Sequence, residues 1–303
     1  MPAASKFTTI TALLIISLFL FLYNSFGLRG LAATSGLGGR PSAAVPKKLW
    51  YKLGPKGLSD NSREWTNSCI QNNKDYVANF MTDESADAYV RERYGALRPD
   101  LVEIYLGISV PILKADMFRY LVLYAEGGVY CDLDVSCDAP IDQWIPQQYK
   151  DDASVVVGWE FDVGWGDRFV RQFTTWTIMA KPGSPHIWAV VEDILRGLRE
   201  TMRAKDVPVE KLTREIVGDI VDATGPRRFT RSTLKSVGET FNTTVDGITE
   251  LWEPKLIGDV LILPGYAFAA SANKYGEGVA VPSPLVTHHY AGTWKNEHGG
   301  EMS

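Results

Sequence analysis

Asp132 and Asp134 stand one residue apart at the end of a short β-prone run, Val129-Tyr130-Cys131. Alternate residues of an extended chain point to the same side, so both carboxylates can meet one site. Hard oxygen ligands of this kind suit Mg or Mn, and such an ion neutralises the charge of a nucleoside diphosphate, a poor leaving group without it. In open α/β sheets, ligands gather at such strand ends. Asp134 is the first choice for direct coordination, with Asp132 acting through water or toward sugar hydroxyls. An Asp-x-Asp alone also marks many solvated turns; its surroundings separate the two readings.

The elements that must position this pair are legible upstream. Pro111 can open a helix through Glu126, closed by Gly127-Gly128. Asp116 and Arg119 lie three residues apart on one face of that helix, either as a simple ion pair or as part of the site. Before it, Lys48 to Leu53 reads as a strand, Asn61 to Asn72 as a helix, Tyr76 to Met81 as a short strand and Asp87 to Tyr94 as another helix. The alternation predicts an α/β sheet.

The run Lys114-Ala115-Asp116-Met117-Phe118-Arg119-Tyr120, followed by Leu123 to Val135 (LYAEGGVYCDLDV), resembles the central signature of the fungal glycosyltransferase family that includes the initiating α-1,6-mannosyltransferases. It is also similar to the matching stretch of the glucosylating clostridial toxins. Pro46 to Trp50, Trp176 to Gly183, Thr224-Gly225-Pro226 and Gly258 to Pro264 resemble further family landmarks, so the likeness covers residues 46 to 297. It implies a GT-A fold, a Rossmann-like single catalytic domain with a mixed sheet, retention of anomeric configuration, and GDP-mannose as donor with Mn2+ or Mg2+ as cofactor.

Near the end stands His288-His289-Tyr290-Ala291-Gly292-Thr293-Trp294-Lys295. By the same resemblance His289 is the third metal ligand, with His288 as the alternative, and Lys295 contacts the diphosphate, while Thr293 and Trp294 sit on a loop closing over it. Asp116 and Arg119 would bind hydroxyls of the donor sugar, and Trp50 would stack on the nucleobase or belong to the core. Glu160, Asp162 and Trp165 combine acid and aromatic groups suited to a sugar acceptor, or form a solvated loop. Ser184-Pro185-His186 departs from the family's usual His-Pro, which bears on the acceptor more than on the reaction class.

The 303 residues, 45% of them hydrophobic, suffice for a large core, and the net charge of -5 gives no general attraction to nucleic acid. No charge occurs between Lys6 and Arg29, and Ile10 to Tyr23 is almost wholly apolar, close to a bilayer span. Residues 1–28 are therefore expected to be a cytoplasmic tail and signal anchor, with a cleaved signal peptide as the alternative, residues 29–48 a flexible stem, and 49–303 the catalytic domain. Arg29, Arg40, Lys47 and Lys48 after the apolar run oppose a lumenal domain by charge counting, whereas the sequon Asn242-Thr243-Thr244 favours one. A single-pass type II protein of the Golgi, meeting a glycoprotein or glycolipid acceptor, alone or in a mannosyltransferase complex, is the expectation. The alternatives are mannosylation of inositol phosphorylceramide and a catalytically inactive scaffold subunit. Three cysteines permit one bridge, and Cys131 to Cys137 is conceivable among open pairings.

Overall fold

The computed structural model describes residues 44–166 and 170–292. The apolar amino-terminal segment and Thr293, Trp294 and Lys295 lie outside the described residues. Among the described residues, no helix is long and apolar enough to cross a membrane.

Nine strands and nine α-helices are used below: β1 (Lys48–Lys52), α1 (Asp60–Asn72), β2 (Val77–Met81), α2 (Asp83–Tyr94), α3 (Pro99–Gly107), α4 (Pro111–Glu126), β3 (Gly128–Cys131), β4 (Val135–Cys137), β5 (Val155–Gly158), β6 (Thr177–Ala180), α5 (Pro185–Lys205), α6 (Arg214–Val217), α7 (Ile220–Ala223), α8 (Pro226–Phe241), β7 (Lys255–Ile257), β8 (Val260–Leu263), α9 (Gly265–Ala269) and β9 (Val286–His288). Seven strands form one mixed sheet in the order β2-β1-β3-β6-β5-β8-β7, while β4 and β9 form a separate antiparallel pair. β1 runs parallel to both β2 and β3, and β3 runs antiparallel to β6. This is the mixed α/β arrangement expected of a GT-A-like domain.

Both faces of the sheet are covered, and the period of two sorts its residues between two cores. Trp50, Tyr130, Ile178 and Ile262 face a core built with α2 to α5 and α8. Their neighbours Leu49, Val129, Met179 and Leu261 face the other, which takes in Cys69 of α1 and Phe268 of α9. The strands therefore read as nearly continuous apolar runs.

α4 is buried almost all round, with every side chain from Met117 to Ala125 inside along with Asp116. Its amphipathic spacing suggests a surface helix; the helix instead lies between the sheet and α5. Pro111 occupies its first turn, where a missing N–H costs nothing, and Gly127 ends it at φ 63°. Gly128 follows at φ 101°, and a Cβ there would stand 2.6 Å from the Lys48 carbonyl oxygen. Two glycines thus make the abrupt turn that sends the chain into β3 and delivers Asp132 immediately beyond it.

The disulfide joins Cys69 to Cys137, and Cys131 is a buried free thiol. Of the pairings the sequence leaves open, Cys69 to Cys137 is the one formed. Cys131 ends β3 inside the sheet, whereas Cys137 ends β4 against α1, whose residue Cys69 faces the same core.

Candidate active site

Arg119 links the helix to the acidic pair. Its Nη1 donates to Asp116 Oδ1 at 2.6 Å and its Nη2 to Asp132 Oδ1 at 3.1 Å, with the guanidinium 5.0 Å from the centre of the Tyr130 ring. Thr224 Oγ1 donates to the second Asp116 oxygen at 2.6 Å. Asp116 and Arg119 are 3% and 4% exposed, so this is not a solvated surface pair. Burial raises the Asp116 pKa against the pull of Arg119, and burial likewise raises Asp132 against the same guanidinium.

Asp134 is set differently. Burial disfavours its charge, but His288, the Ala291 N–H and its own backbone N–H outweigh this and hold the carboxyl below its usual range. His288 Nε2 lies 3.3 Å from Oδ1, and the Ala291 N–H donates to Oδ2 at 3.0 Å. The ladder between β4 and β9 places Val135 opposite His288, and the His289 N–H donates to the Asp134 carbonyl. The His288 ring stacks on Trp176 at 4.1 Å and meets Tyr290 edge-on at 4.1 Å.

His289, expected as the third ligand, turns to the opposite side. It stacks on Trp65 at 4.3 Å, and its Nε2 hydrogen-bonds Ser136 Oγ at 2.9 Å. The reason is alternation along an extended chain: one histidine of the pair faces Asp134, and that one is His288. Burial of the indole also corrects the reading of Trp50 as a stacking platform. Trp50 is 6% exposed in the core, with Nε1 donating to the Gly127 carbonyl at 2.9 Å.

Asp116, Arg119, Asp132, Asp134, Glu160 and His288 line one cavity of about 350 Å3. Glu160 comes from beyond β5, where a bridge between Trp159 and Phe173 brings Gln172 alongside, and Gln172 Nε2 donates to Glu160 Oε2 at 2.6 Å. Burial pushes the Glu160 pKa up to about 7. Asp162 and Trp165 do not share its role: Asp162 is fully buried and accepts from the Glu250 N–H, and Trp165 Nε1 donates to the Ala272 carbonyl. They hold the loop that carries Glu160. Gln172, Thr175 and Tyr290 also line the cavity, and the sequence alone assigns them no role. Their signal in the sequence is position alone, beside strand ends.

Among the described residues, no three His, Cys, Asp or Glu side chains are disposed to hold a metal ion by themselves. The donor types nevertheless fit Mg or Mn, which binds through one or two carboxylates and completes its sphere with water and phosphate oxygens. Asp132 and Asp134 would supply the carboxylates. The buried His288 Nδ1 has no partner among the described residues, a polar atom left open at the same place.

A family model described as "Glycosyltransferase sugar-binding region containing DXD motif" matches residues 59–151, which contain Asp116, Arg119, Asp132 and Asp134. The matched region marks a glycosyltransferase. The chain is 34% identical over 265 residues to the initiation-specific alpha-1,6-mannosyltransferase of Schizosaccharomyces pombe, covering 84% of this chain and 65% of that protein. It is 31% identical over 294 residues to the enzyme of the same name from Candida albicans, covering 86% of this chain and 75% of that one. A shorter likeness, 33% over 101 residues, covers 33% of this chain and 27% of the Schizosaccharomyces pombe inositol phosphoceramide mannosyltransferase 3. The chain belongs to the family of fungal DXD glycosyltransferases that includes the initiation-specific α-1,6-mannosyltransferases.

Proposed function

We propose that this chain transfers mannose from GDP-mannose, with retention, in α-1,6 linkage to an N-glycan core or mannan. The observation that carries the reading is the hydrogen-bonded chain Thr224–Asp116–Arg119–Asp132, buried up to Arg119, which ends beside Asp134 in one cavity. Similarity along most of the chain to two α-1,6-mannosyltransferases supports the choice of sugar and linkage. A Mn or Mg ion held by Asp132 and Asp134 would neutralise the diphosphate. Arg119 is fixed by two carboxylates so that its remaining N–H groups are aimed without reorganisation, and Asp116 is the group that orients it.

The acceptor hydroxyl enters on the face the nucleotide leaves. The bond from C1 to the phosphate oxygen breaks, a bond from C1 to the acceptor oxygen forms, and the acceptor's proton passes to the departing phosphate. Glu160, with Gln172 donating to one of its oxygens, is suited to accept a hydrogen bond from a sugar hydroxyl in that space. The Trp176–His288–Tyr290 stack supplies an aromatic wall.

In this proposal the domain lies in the Golgi lumen behind an uncleaved amino-terminal anchor, and three features support the lumenal side. The Cys69–Cys137 disulfide suits an oxidising compartment, Asn242-Thr243-Thr244 lies exposed after α8 where it can be glycosylated, and two relatives are named initiation-specific alpha-1,6-mannosyltransferases. The second reading, mannosylation of inositol phosphorylceramide, is favoured only by likenesses that each cover 32–34% of this chain. The test is turnover of GDP-mannose against UDP-glucose, UDP-galactose and UDP-N-acetylglucosamine, with and without Mn2+, using α-mannoside and ceramide acceptors. Manganese-dependent transfer to the mannoside alone supports the proposal; a UDP-sugar preference overturns the donor. No turnover of any donor would point instead to the inactive scaffold subunit.

A further inference from the structure

A second cavity, of about 330 Å3, adjoins the first and shares Ile112, Arg119, Asp132 and Asp134 with it. A nucleotide sugar is a linear molecule with its diphosphate in the middle. If the diphosphate lies at the shared acidic pair, the sugar occupies one cavity and the nucleoside the other. The first is walled by Asp116, Glu160, Gln172 and Thr175, groups suited to hydroxyls. The second is walled by Leu53, Pro55 and Leu58, apolar surface for a flat base, together with Lys56 and one charged pair, Lys52 and Asp83.

That pair is held in a defined geometry. Lys52 Nζ donates to Asp83 Oδ1 at 2.6 Å and to the Leu53 carbonyl at 2.8 Å, which leaves the third ammonium hydrogen for another acceptor. The Lys52 side chain is only 6% exposed, whereas Asp83 is 55% exposed and free to meet an incoming group. Asp83 opens α2 and Lys52 closes β1, so the pair rests on two regular elements.

Guanine presents a carbonyl at C6, an N–H at N1 and an amino group at C2 along one edge. A carboxylate accepts from the two adjacent N–H donors, and an ammonium beside it donates to the carbonyl. Uracil flanks its single N–H with two carbonyls, and adenine has an acceptor at N1, so each sets an acceptor against the carboxylate. We propose that Asp83 and Lys52 read the guanine of a GDP-linked donor, Asp83 accepting from N1–H and the 2-amino group and Lys52 donating to O6. This assignment rests on the donor proposed above and names the residues that select it.

The experiment measures binding of GDP, inosine diphosphate, xanthosine diphosphate and UDP to the full-length chain with Mn2+, in wild type and in Asp83→Asn, by calorimetry. Inosine diphosphate lacks the 2-amino group, and xanthosine diphosphate replaces it with a carbonyl that an asparagine amide can donate to. Wild type is expected to bind GDP about tenfold or more tighter than the other three. In Asp83→Asn, GDP weakens by a similar factor and xanthosine diphosphate becomes the preferred ligand, a gain that misfolding cannot produce. A wild type that prefers GDP while Asp83→Asn keeps the same GDP to xanthosine diphosphate ratio overturns the assignment and leaves the donor intact. A wild type that prefers UDP overturns both.

Discussion

Asp134 receives its charge-stabilising partners from one short stretch, the Ala291 N–H and His288, and that stretch is held by pairing with β4. Replacing His288 with Ala should cut turnover about ten- to a hundredfold, the usual cost of losing a group beside a metal-binding carboxylate. His289→Ala, which removes a ring stacked on Trp65, should leave kcat near wild type; equal losses in the two variants would refute the assignment. Nothing in the sequence separates the two histidines, because a shift of one residue in register moves a side chain to the other face. The Asp132-Leu133-Asp134 spacing does bring both carboxylates to one cavity, but through the turn at Leu133 and Asp134 between β3 and β4 rather than through the alternation of an extended strand. Glu160 carries a second prediction. Its carboxyl is neutral more readily in the folded chain, so its contribution to stability is full below about pH 4.5 and is lost as pH rises to about 7. Glu160→Gln should flatten that part of the stability curve and gain up to roughly 3 kcal/mol relative to wild type above pH 7. Thermal melts from pH 4 to 8 that stay parallel would show that Glu160 does not titrate in this window.

At the level of elements, the corner between α4 and β3 decides where the acids stand. Gly127 and Gly128 both hold positive φ, and a Cβ at Gly128 would lie 2.9 Å from the Lys48 Cβ as well as against the Lys48 carbonyl. Gly128→Ala should therefore destabilise the domain by about 1–3 kcal/mol or more and lower turnover further by displacing Asp132. Urea denaturation and kcat report the two effects separately, and a variant with wild-type values in both would mean the corner relaxes freely. This corner was legible because Pro111 and the glycine pair bracket the helix chemically. β1, β2 and α1 also begin or end within two residues of their sequence-based limits, whereas α2 starts at Asp83, earlier than expected, on the Thr82 cap. What could not be read was the burial of α4 on all sides, which depends on α5 and the sheet enclosing it rather than on its own period. Trp50 shows the same limit: an indole near a ligand site and an indole in the core look alike until the strand order is known.

For the whole molecule, the long-range tie is the Cys69–Cys137 bond across a sequence separation of 68. It fastens α1 to β4, and β4 in turn carries β9 and His288, so the bond joins the acidic pair's histidine partner to the main body through a two-stranded ladder. Closing a loop of this length restricts the unfolded chain by about 4 kcal/mol in the chain-entropy treatment. Cys69→Ser combined with Cys137→Ser should lose stability of that order, and a reductant should lower the denaturation midpoint of wild type but not of the double variant. Cys131 provides the internal control. Its thiol is fully buried, burial raises its pKa to about 12, and it should resist alkylation in the native state even after reduction. If reduction leaves the wild-type midpoint unchanged, the helix and strand contacts alone hold the ladder in place and the bond does not secure the site. If the midpoint falls and turnover falls with it while GDP binding persists, the loss is confined to the β4–β9 side, as expected when His288 is released and the cavity walled by Lys52 and Asp83 is not.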